Sequence, residues 1–372
     1  VQRRAVTLTA SQQARTYGDN FAFEGTVGAL DGTAFTVSDQ GIANNVTLPN
    51  GETISQVSLV SANDGGNNTD LNAGTYSDDL SITQDTLVGA GGFDAGNYVF
   101  TYLPGDLVVD PRPVNVTAKE QDKYYGDIAI LDTTAAAFTI ADGGNADDTT
   151  LPNGDAIISV LINSETGKDE SQVSDADTYV DELRITGVTG NSEFLPSNYD
   201  ITYIDGDFEV TQRPIALEAE DQNRFFGDTL DLGSVAFTIT DNGNTDPQAP
   251  FELPNGETIE SVALTSGSSI AGDTTANAGL NPGNVTVSNP VGGNGFRLSN
   301  YDITFVTGDL TVDPRPITLE AGSQERIYGD PLTLDETVFS VLDLDGDATL
   351  PNGEVIDTVN LVSGGGVDQD TT

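Results

Sequence analysis

Asn198-Tyr199-Asp200-Ile201-Thr202-Tyr203-Ile204-Asp205-Gly206-Asp207-Phe208-Glu209-Val210 is the stretch that decides how this chain is read. Tyr199, Ile201 and Tyr203 alternate with polar or less committed residues, and a period of two with large apolar groups on one face predicts a strand covering a core. Asp205-Gly206 is a two-residue turn signal of the kind favoured in hairpins, and Phe208 and Val210 start a return strand. The pattern recurs as Tyr98, Phe100 and Tyr102 followed by Leu107 and Val109, and as Tyr301, Ile303 and Phe305 followed by Leu310 and Val312.

Directly after each return strand comes a second repeated block. Arg4–Asp19, Arg112–Asp127, Arg213–Asp228 and Arg315–Asp330 share one length and one set of landmarks: an Arg (followed by Pro in the last three), an alternating segment, and an aromatic-Gly-Asp turn. The turn aromatics Tyr17, Tyr125, Phe226 and Tyr328 stand 108, 101 and 102 residues apart, a period of domain size rather than of solenoid size. The turn glycines Gly18, Gly126, Gly227 and Gly329 predict backbone at positive φ or in close approach.

Between these landmarks each copy predicts further strands. One carries Phe35, Phe138, Phe237 or Phe339. An acidic loop of variable length follows and closes on Leu-Pro-Asn-Gly-Glu/Asp, whose Pro-Asn-Gly core is turn chemistry. Strand-like sequence resumes at Ser58–Val60, Val160–Ile162, Ala263–Thr265 and Asn360–Val362. Another such segment spans Tyr76–Ile82 and Tyr179–Ile185, and in the third copy Leu280–Val287, with Leu280 in the tyrosine slot. No amphipathic helix of ten or more residues is legible. The junctions, as in Val109-Asp110-Pro111-Arg112-Pro113, are short and proline-stiffened.

The expected organisation is therefore all-β: a tandem array of β-sandwich modules forming an elongated rod, at about 35 Å per module for strands of ~10 residues. The modules span residues 1–110, 111–212 and 213–313, with the front half of a fourth at 314–372. Hydrophobic content of 37% with regularly placed aromatics argues against a disordered acidic chain.

Thirteen Lys and Arg stand against 59 Asp and Glu, for a formal net charge of −46. Such a chain has no basic surface to neutralise phosphates, which argues against nucleic acid as a partner, and an anionic membrane surface would repel it. No apolar run long enough to span a bilayer is present, so no membrane insertion is expected in this segment. The charge opposes compaction unless salt screens it, which points to a saline or marine, or a calcium-containing, setting. Absence of Cys, His, Met and Trp removes disulfides, thiol catalysis, histidine metal sites and Ser-His-Asp chemistry. With so many carboxylates, no acid–nucleophile pair can be singled out, and no enzyme is expected.

With Tyr-Gly-Asp near the front and Asn-Tyr-x-Ile/Phe-Thr-Tyr/Phe-x-x-Gly-Asp-Leu/Phe-x-Val at the end, the unit resembles the MBG domain of the Tyr-Gly-x type. That family occurs in tandem in large bacterial surface and secreted proteins, including adhesin-like ones. The resemblance covers the first three copies and the front of the fourth, and departs at Phe226, where a hydroxyl is lost. It implies an all-β or β-grasp-like module, an extracellular or cell-surface location, a stalk or adhesive role, and no catalytic residues.

Eight of the 13 basic residues fill two repeated slots: Arg4, Arg112, Arg213 and Arg315, and Arg15, Lys123, Arg224 and Arg326. In so acidic a chain they are expected to partner particular carboxylates, either the strand-end Asp106, Asp207 and Asp309 or the turn Asp19, Asp127, Asp228 and Asp330, pinning module junctions. The alternative is solvated edge-strand charge. Asp343, Asp345 and Asp347 alternate before and after a Gly, a spacing that suits Ca2+, although the equivalent loops do not keep it. The three lysines Lys119, Lys123 and Lys168 all lie in the second copy, so no Lys-to-Asn cross-link can recur in every copy. The functional expectation is a structural region of an extracellular bacterial fibre, stalk or adhesin, with surface or matrix ligands and neighbouring copies of the chain as partners, the latter by strand donation in trans. The alternative is calcium-dependent glycan binding.

Overall fold

The computed structural model describes residues 1–19, 24–26, 34–40, 47–63, 69–84, 87–143, 150–241, 252–346 and 348–364. These residues form strands joined by loops and short 3-10 turns, the longest Gly267–Gly272, so the chain is all-β. No helix among them is long and apolar enough to cross a membrane. The chain makes two compact units: Val1–Lys123, Ile128–Ser171 and Asp177–Glu209 form the first, and Tyr124–Asp127, Gln172–Ala176 and Val210–Thr372 the second.

In the second unit, Arg213–Ala219 is the centre of a three-stranded sheet. It pairs antiparallel with Phe237–Asp241 and parallel with Tyr301–Val306, so that Leu217 stands opposite both Ile239 and Phe305. A four-stranded sheet has the order Gln222–Phe225, Gly308–Asp313, Gly279–Gly293, Thr258–Ser266, its first pair parallel and the others antiparallel. The two layers face each other where Arg213–Ala219 lies against Gly279–Gly293. Ile215 and Leu217 from one layer and Val285, Leu310 and Val312 from the other are buried there, as period-two strands require of a two-layer core. Further along this unit Ile317–Ala321 pairs antiparallel with Phe339–Asp343.

The first unit repeats the scheme. Phe35–Asp39, Arg4–Ala10 and Tyr98–Leu103 make one three-stranded sheet, and Phe138–Asp142, Arg112–Ala118 and Tyr199–Ile204 another. The facing sheets have the orders Gln13–Thr16, Gly105–Asp110, Gly74–Ile82, Thr53–Ser61, Glu24–Thr26 and Gln121–Tyr124, Gly206–Thr211, Asp177–Gly190, Ile157–Ser164. Pro113 sits at the second position of its strand, where its missing N–H and fixed φ are tolerated.

Several expectations are corrected. Asp205-Gly206 is not a hairpin turn: neither residue has positive φ, and the strands on either side of it belong to different sheets. The chain crosses between layers there, and glycine is required because a Cβ would fall 2.5 Å from the Ala118 carbonyl oxygen. The aromatic stripe is buried only at its first position. Tyr199 and Tyr301 are enclosed while Tyr203 and Phe305 are exposed, because each strand lies at the edge of a three-stranded sheet. Gly279 and Asn281 pair with Val312 and Leu310 as Gly74 and Tyr76 pair with Val109 and Leu107, so Asn281 and not Leu280 holds the tyrosine position. That one-residue slip turns Leu280 to solvent. Asn360–Val362 forms no strand. Among the described residues no strand pairs with it, and Val362 is exposed.

Candidate functional site

The repeated aromatic-Gly-Asp segment folds into a tight turn closed by backbone: Asp19 N–H donates to Thr16 O at 3.0 Å, Asp127 N–H to Tyr124 O at 3.0 Å and Asp228 N–H to Phe225 O at 3.2 Å. Its glycines stand at φ +84°, +88° and +89°, in the left-handed region where a side chain is strained. The same glycines are also crowded. A Cβ on Gly18 would fall 2.5 Å from Pro152, and Gly126 and Gly227 stand against Pro254 and Pro351 in the same way. Each turn therefore docks on the Leu-Pro-Asn-Gly turn of the following sequence copy.

That receiving turn is a single 3-10 turn with Asn153 at φ +61° or Asn255 at φ +60°, a conformation asparagine tolerates better than most residues. Its asparagine side chain reaches back: Asn153 Nδ2 donates to Thr69 O at 2.8 Å, and Asn255 Nδ2 to Gln172 O at 3.1 Å. The acidic residue that closes the motif collects phenol hydroxyls. Asp155 Oδ2 accepts from Tyr17 Oη at 3.1 Å and Tyr199 Oη at 2.5 Å, and the two rings meet edge to face at 5.5 Å. In the second unit Glu257 accepts from Tyr125 Oη and, at 2.5 Å, Tyr301 Oη, with the rings 5.6 Å apart. Burial, then the hydrogen bond to the carboxylate, pushes the Tyr199 and Tyr301 phenols far above their ordinary range.

The first cationic slot clamps the turn from its other side. Arg112 Nη1 donates to Tyr17 O at 3.0 Å and Asp19 Oδ1 at 2.8 Å, while its Nε donates to the buried Asp142 at 2.6 Å. Arg213 Nη1 does the same to Tyr125 O at 3.1 Å and Asp127 Oδ1 at 2.7 Å. Arg315 Nη1 donates to Asp228 Oδ1 at 2.6 Å, with Nη2 on Asp343 at 2.9 Å. These carboxylates raise the guanidinium pKa of Arg112 and Arg315 further, so the clamp is charged at every accessible pH.

Of the two carboxylate sets expected to meet arginine, the turn aspartates Asp19, Asp127 and Asp228 do so. The strand-end aspartates instead accept backbone N–H groups from Asp78 (2.9 Å), Asp181 (2.9 Å) and Gly283 (2.7 Å). Asp78, Asp181 and Gly283 all have positive φ, so Asp106, Asp207 and Asp309 hold a local bulge in the adjoining strand. The second cationic slot serves backbone carbonyls. Arg15 Nη1 donates to Asp19 O at 2.6 Å, and Lys123 Nζ to the carbonyls of Lys168, Asp169 and Ser171. Arg224 donates to those of Asp228, Ile270 and Asp273. Phe226, without a hydroxyl, lines a cavity of about 270 Å3 with Arg315, Pro351 and Glu354. Asp343 and Asp345 converge on Arg315, whose positive charge opposes a cation between them; Asp347 lies outside the described residues. Among the described residues no group of three or more acidic side chains is placed to hold a metal ion.

Two participants were not singled out from sequence. Asn198, buried, accepts from Ala73 N–H at 2.9 Å and donates to Asn72; Asn300 likewise accepts from Ala176 N–H at 2.9 Å and donates to Asp175. The other is the carboxylate set Glu52, Asp155, Glu257 and Glu354. Both signals were present: an Asn before each Tyr98, Tyr199 and Tyr301, and an acid after every Pro-Asn-Gly, while the acids of the preceding loops vary. No family model matches this chain, and no curated protein matches it.

Proposed function

We propose that this chain is a structural repeat region of an extracellular bacterial fibre, stalk or adhesin, in which each copy is locked to the next through its aromatic-Gly-Asp turn. The single observation that carries the reading is the threefold construction of one clamp. Arg112, Arg213 and Arg315, each opening a copy, hold Asp19, Asp127 and Asp228 of the copy before. Charged interactions repeated where consecutive copies meet serve transmission of force and direction, because they restrict bending between copies. The high negative charge adds self-repulsion that favours extension and solubility.

Small-angle X-ray scattering tests this. A compact globule of this length has a radius of gyration of about 21 Å. A stiff array of three and a half modules of about 35 Å is roughly 120 Å long, which gives about 35 Å. The expected result is a value near the second figure with a rod-like cross-section; a value near the first contradicts the reading.

A further inference from the structure

The aromatic-Gly-Asp turn forms without a phenol: at Phe226 it closes through Asp228 N–H on Phe225 O, as it does at Tyr17 and Tyr125. The hydroxyls therefore serve something other than the turn, and they come in pairs. Tyr17 and Tyr199 both donate to Asp155, and Tyr125 and Tyr301 both donate to Glu257. The ring centroids are 5.5 Å and 5.6 Å apart at interplanar angles of 77° and 75°, so the two groups share one arrangement. In each, one phenol comes from one sequence copy, and the carboxylate and the second phenol come from the next.

A phenol hydrogen-bonded to a carboxylate gives up an electron readily, because the proton that leaves with it has a base in place. Burial raises the pKa of all four phenols, so no phenolate is present near neutral pH and this coupled loss is the route open to them. Asn255 Nδ2 also donates to Tyr125 Oη, at 3.3 Å, and holds that oxygen as its proton departs. The four rings are no more than 6% exposed, but electron transfer needs no contact, so an outer-sphere oxidant in solvent can act on them. The unpaired spin of a phenoxyl radical sits largely on the carbons ortho to oxygen. Two oxygens drawn to one carboxylate, with the rings edge to face, bring those carbons together.

We propose that Tyr17–Asp155–Tyr199 and Tyr125–Glu257–Tyr301 are oxidative cross-linking sites, at which a one-electron oxidant turns a hydrogen-bonded lock into a covalent dityrosine bond between consecutive copies. Each phenol gives one electron to the oxidant and its proton to the shared carboxylate, which passes it to solvent. The two radicals form one carbon–carbon bond between ortho positions, and the hydrogens displaced there move to the phenol oxygens, restoring both aromatic rings. The net loss is two electrons and two protons, with two equivalents of the oxidant reduced. The third copy's turn carries Phe226 and forms no such link. The inference rests on the contacts of the lock described under the proposed function, and not on the extracellular role.

Photo-oxidation of the dilute 372-residue chain with tris(bipyridine)ruthenium(II) and persulfate tests it, read by mass spectrometry of peptides cut at acidic residues. The expected products are two intrachain links, Tyr17 to Tyr199 and Tyr125 to Tyr301, each lighter by two hydrogens than its separate peptides. Tyr17→Phe should remove the first link only and Tyr125→Phe the second only; unchanged circular dichroism establishes that both variants fold, as Phe226 does in its own copy. Glu257→Gln, which keeps an acceptor but no base, should slow the second link several-fold relative to the first. Oxidation that joins exposed tyrosines such as Tyr124 and Tyr203 while leaving both pairs unlinked overturns the proposal. Links that form as fast in the urea-unfolded chain overturn it too, because the folded arrangement then contributes nothing. Either result leaves the non-covalent locks standing and removes only the covalent step.

Discussion

Arg112 shows what one residue contributes. Its guanidinium bridges a half-exposed aspartate from one copy and a nearly inaccessible one, Asp142, from the next. The exposed arm is worth little, whereas removing the partner of a buried carboxylate costs about 3 kcal/mol or more. Arg112→Ala should therefore lower the urea midpoint strongly, Asp19→Ala only slightly, and Arg112→Lys should not restore the loss, since an ammonium cannot reach both partners from one plane. Gly18 combines two constraints that Gly329 separates. Both have positive φ, but only Gly18 faces a proline, so Gly18→Ala should cost clearly more than the roughly 1 kcal/mol of backbone strain expected for Gly329→Ala. The tyrosines set an alkaline limit. Tyr17, Tyr98, Tyr125, Tyr199 and Tyr301 have folded pKa values raised by burial, Tyr98 to about 12, so the fold favours their neutral form. That contribution is complete below their unfolded value of about 10 and is lost as pH rises from there. Stability should be insensitive to these groups at neutral pH and fall above about pH 10, with the last tyrosinate absorbance appearing together with unfolding; tyrosines that all ionise before unfolding would contradict it. The arginine slot and the turn glycines were legible because they repeat against a background that varies. The partners of the arginines were not, since sequence spacing does not say which strand-end or turn aspartate lies across a junction.

At the scale of elements, strand positions were readable from alternation, and the pairing of strands was not. Phe208 and Val210 announce a buried strand and are buried. Asp205-Gly206 announces a hairpin and instead carries the chain from one layer to the other. Turn propensity records only that glycine is needed, and here the need is space beside Ala118 rather than positive φ. Gly206→Ala should accordingly destabilise by overpacking, of the order of 1–3 kcal/mol, although its φ suits alanine. A variant as stable as the wild type in urea would show that the crossover can relax. The Pro-Asn-Gly turns were read correctly as turns, but their role as docking platforms depends on a neighbouring copy and has no local signature.

For the whole molecule, charge and repetition pull in one direction. A net charge of −46 makes stability depend on screening, so the melting temperature should rise with salt from low to physiological ionic strength. Because Asp343 and Asp345 are engaged by Arg315, calcium should do no more than sodium at matched ionic strength; a larger rise, reversed by chelator, would restore a specific calcium site. In this reading the aromatic-Gly-Asp turn makes consecutive copies one cooperative structure. Scanning calorimetry of the full chain with and without the first lock, using the Tyr17→Ala/Arg112→Ala double variant, addresses it most directly. The expected result is that the first two copies melt together in the wild type, and that the variant gains a separate transition at lower temperature with about 30% of the total enthalpy, in proportion to the 110 of 372 residues in the first copy. Thermograms with the same number of transitions at the same temperatures in both chains would contradict it.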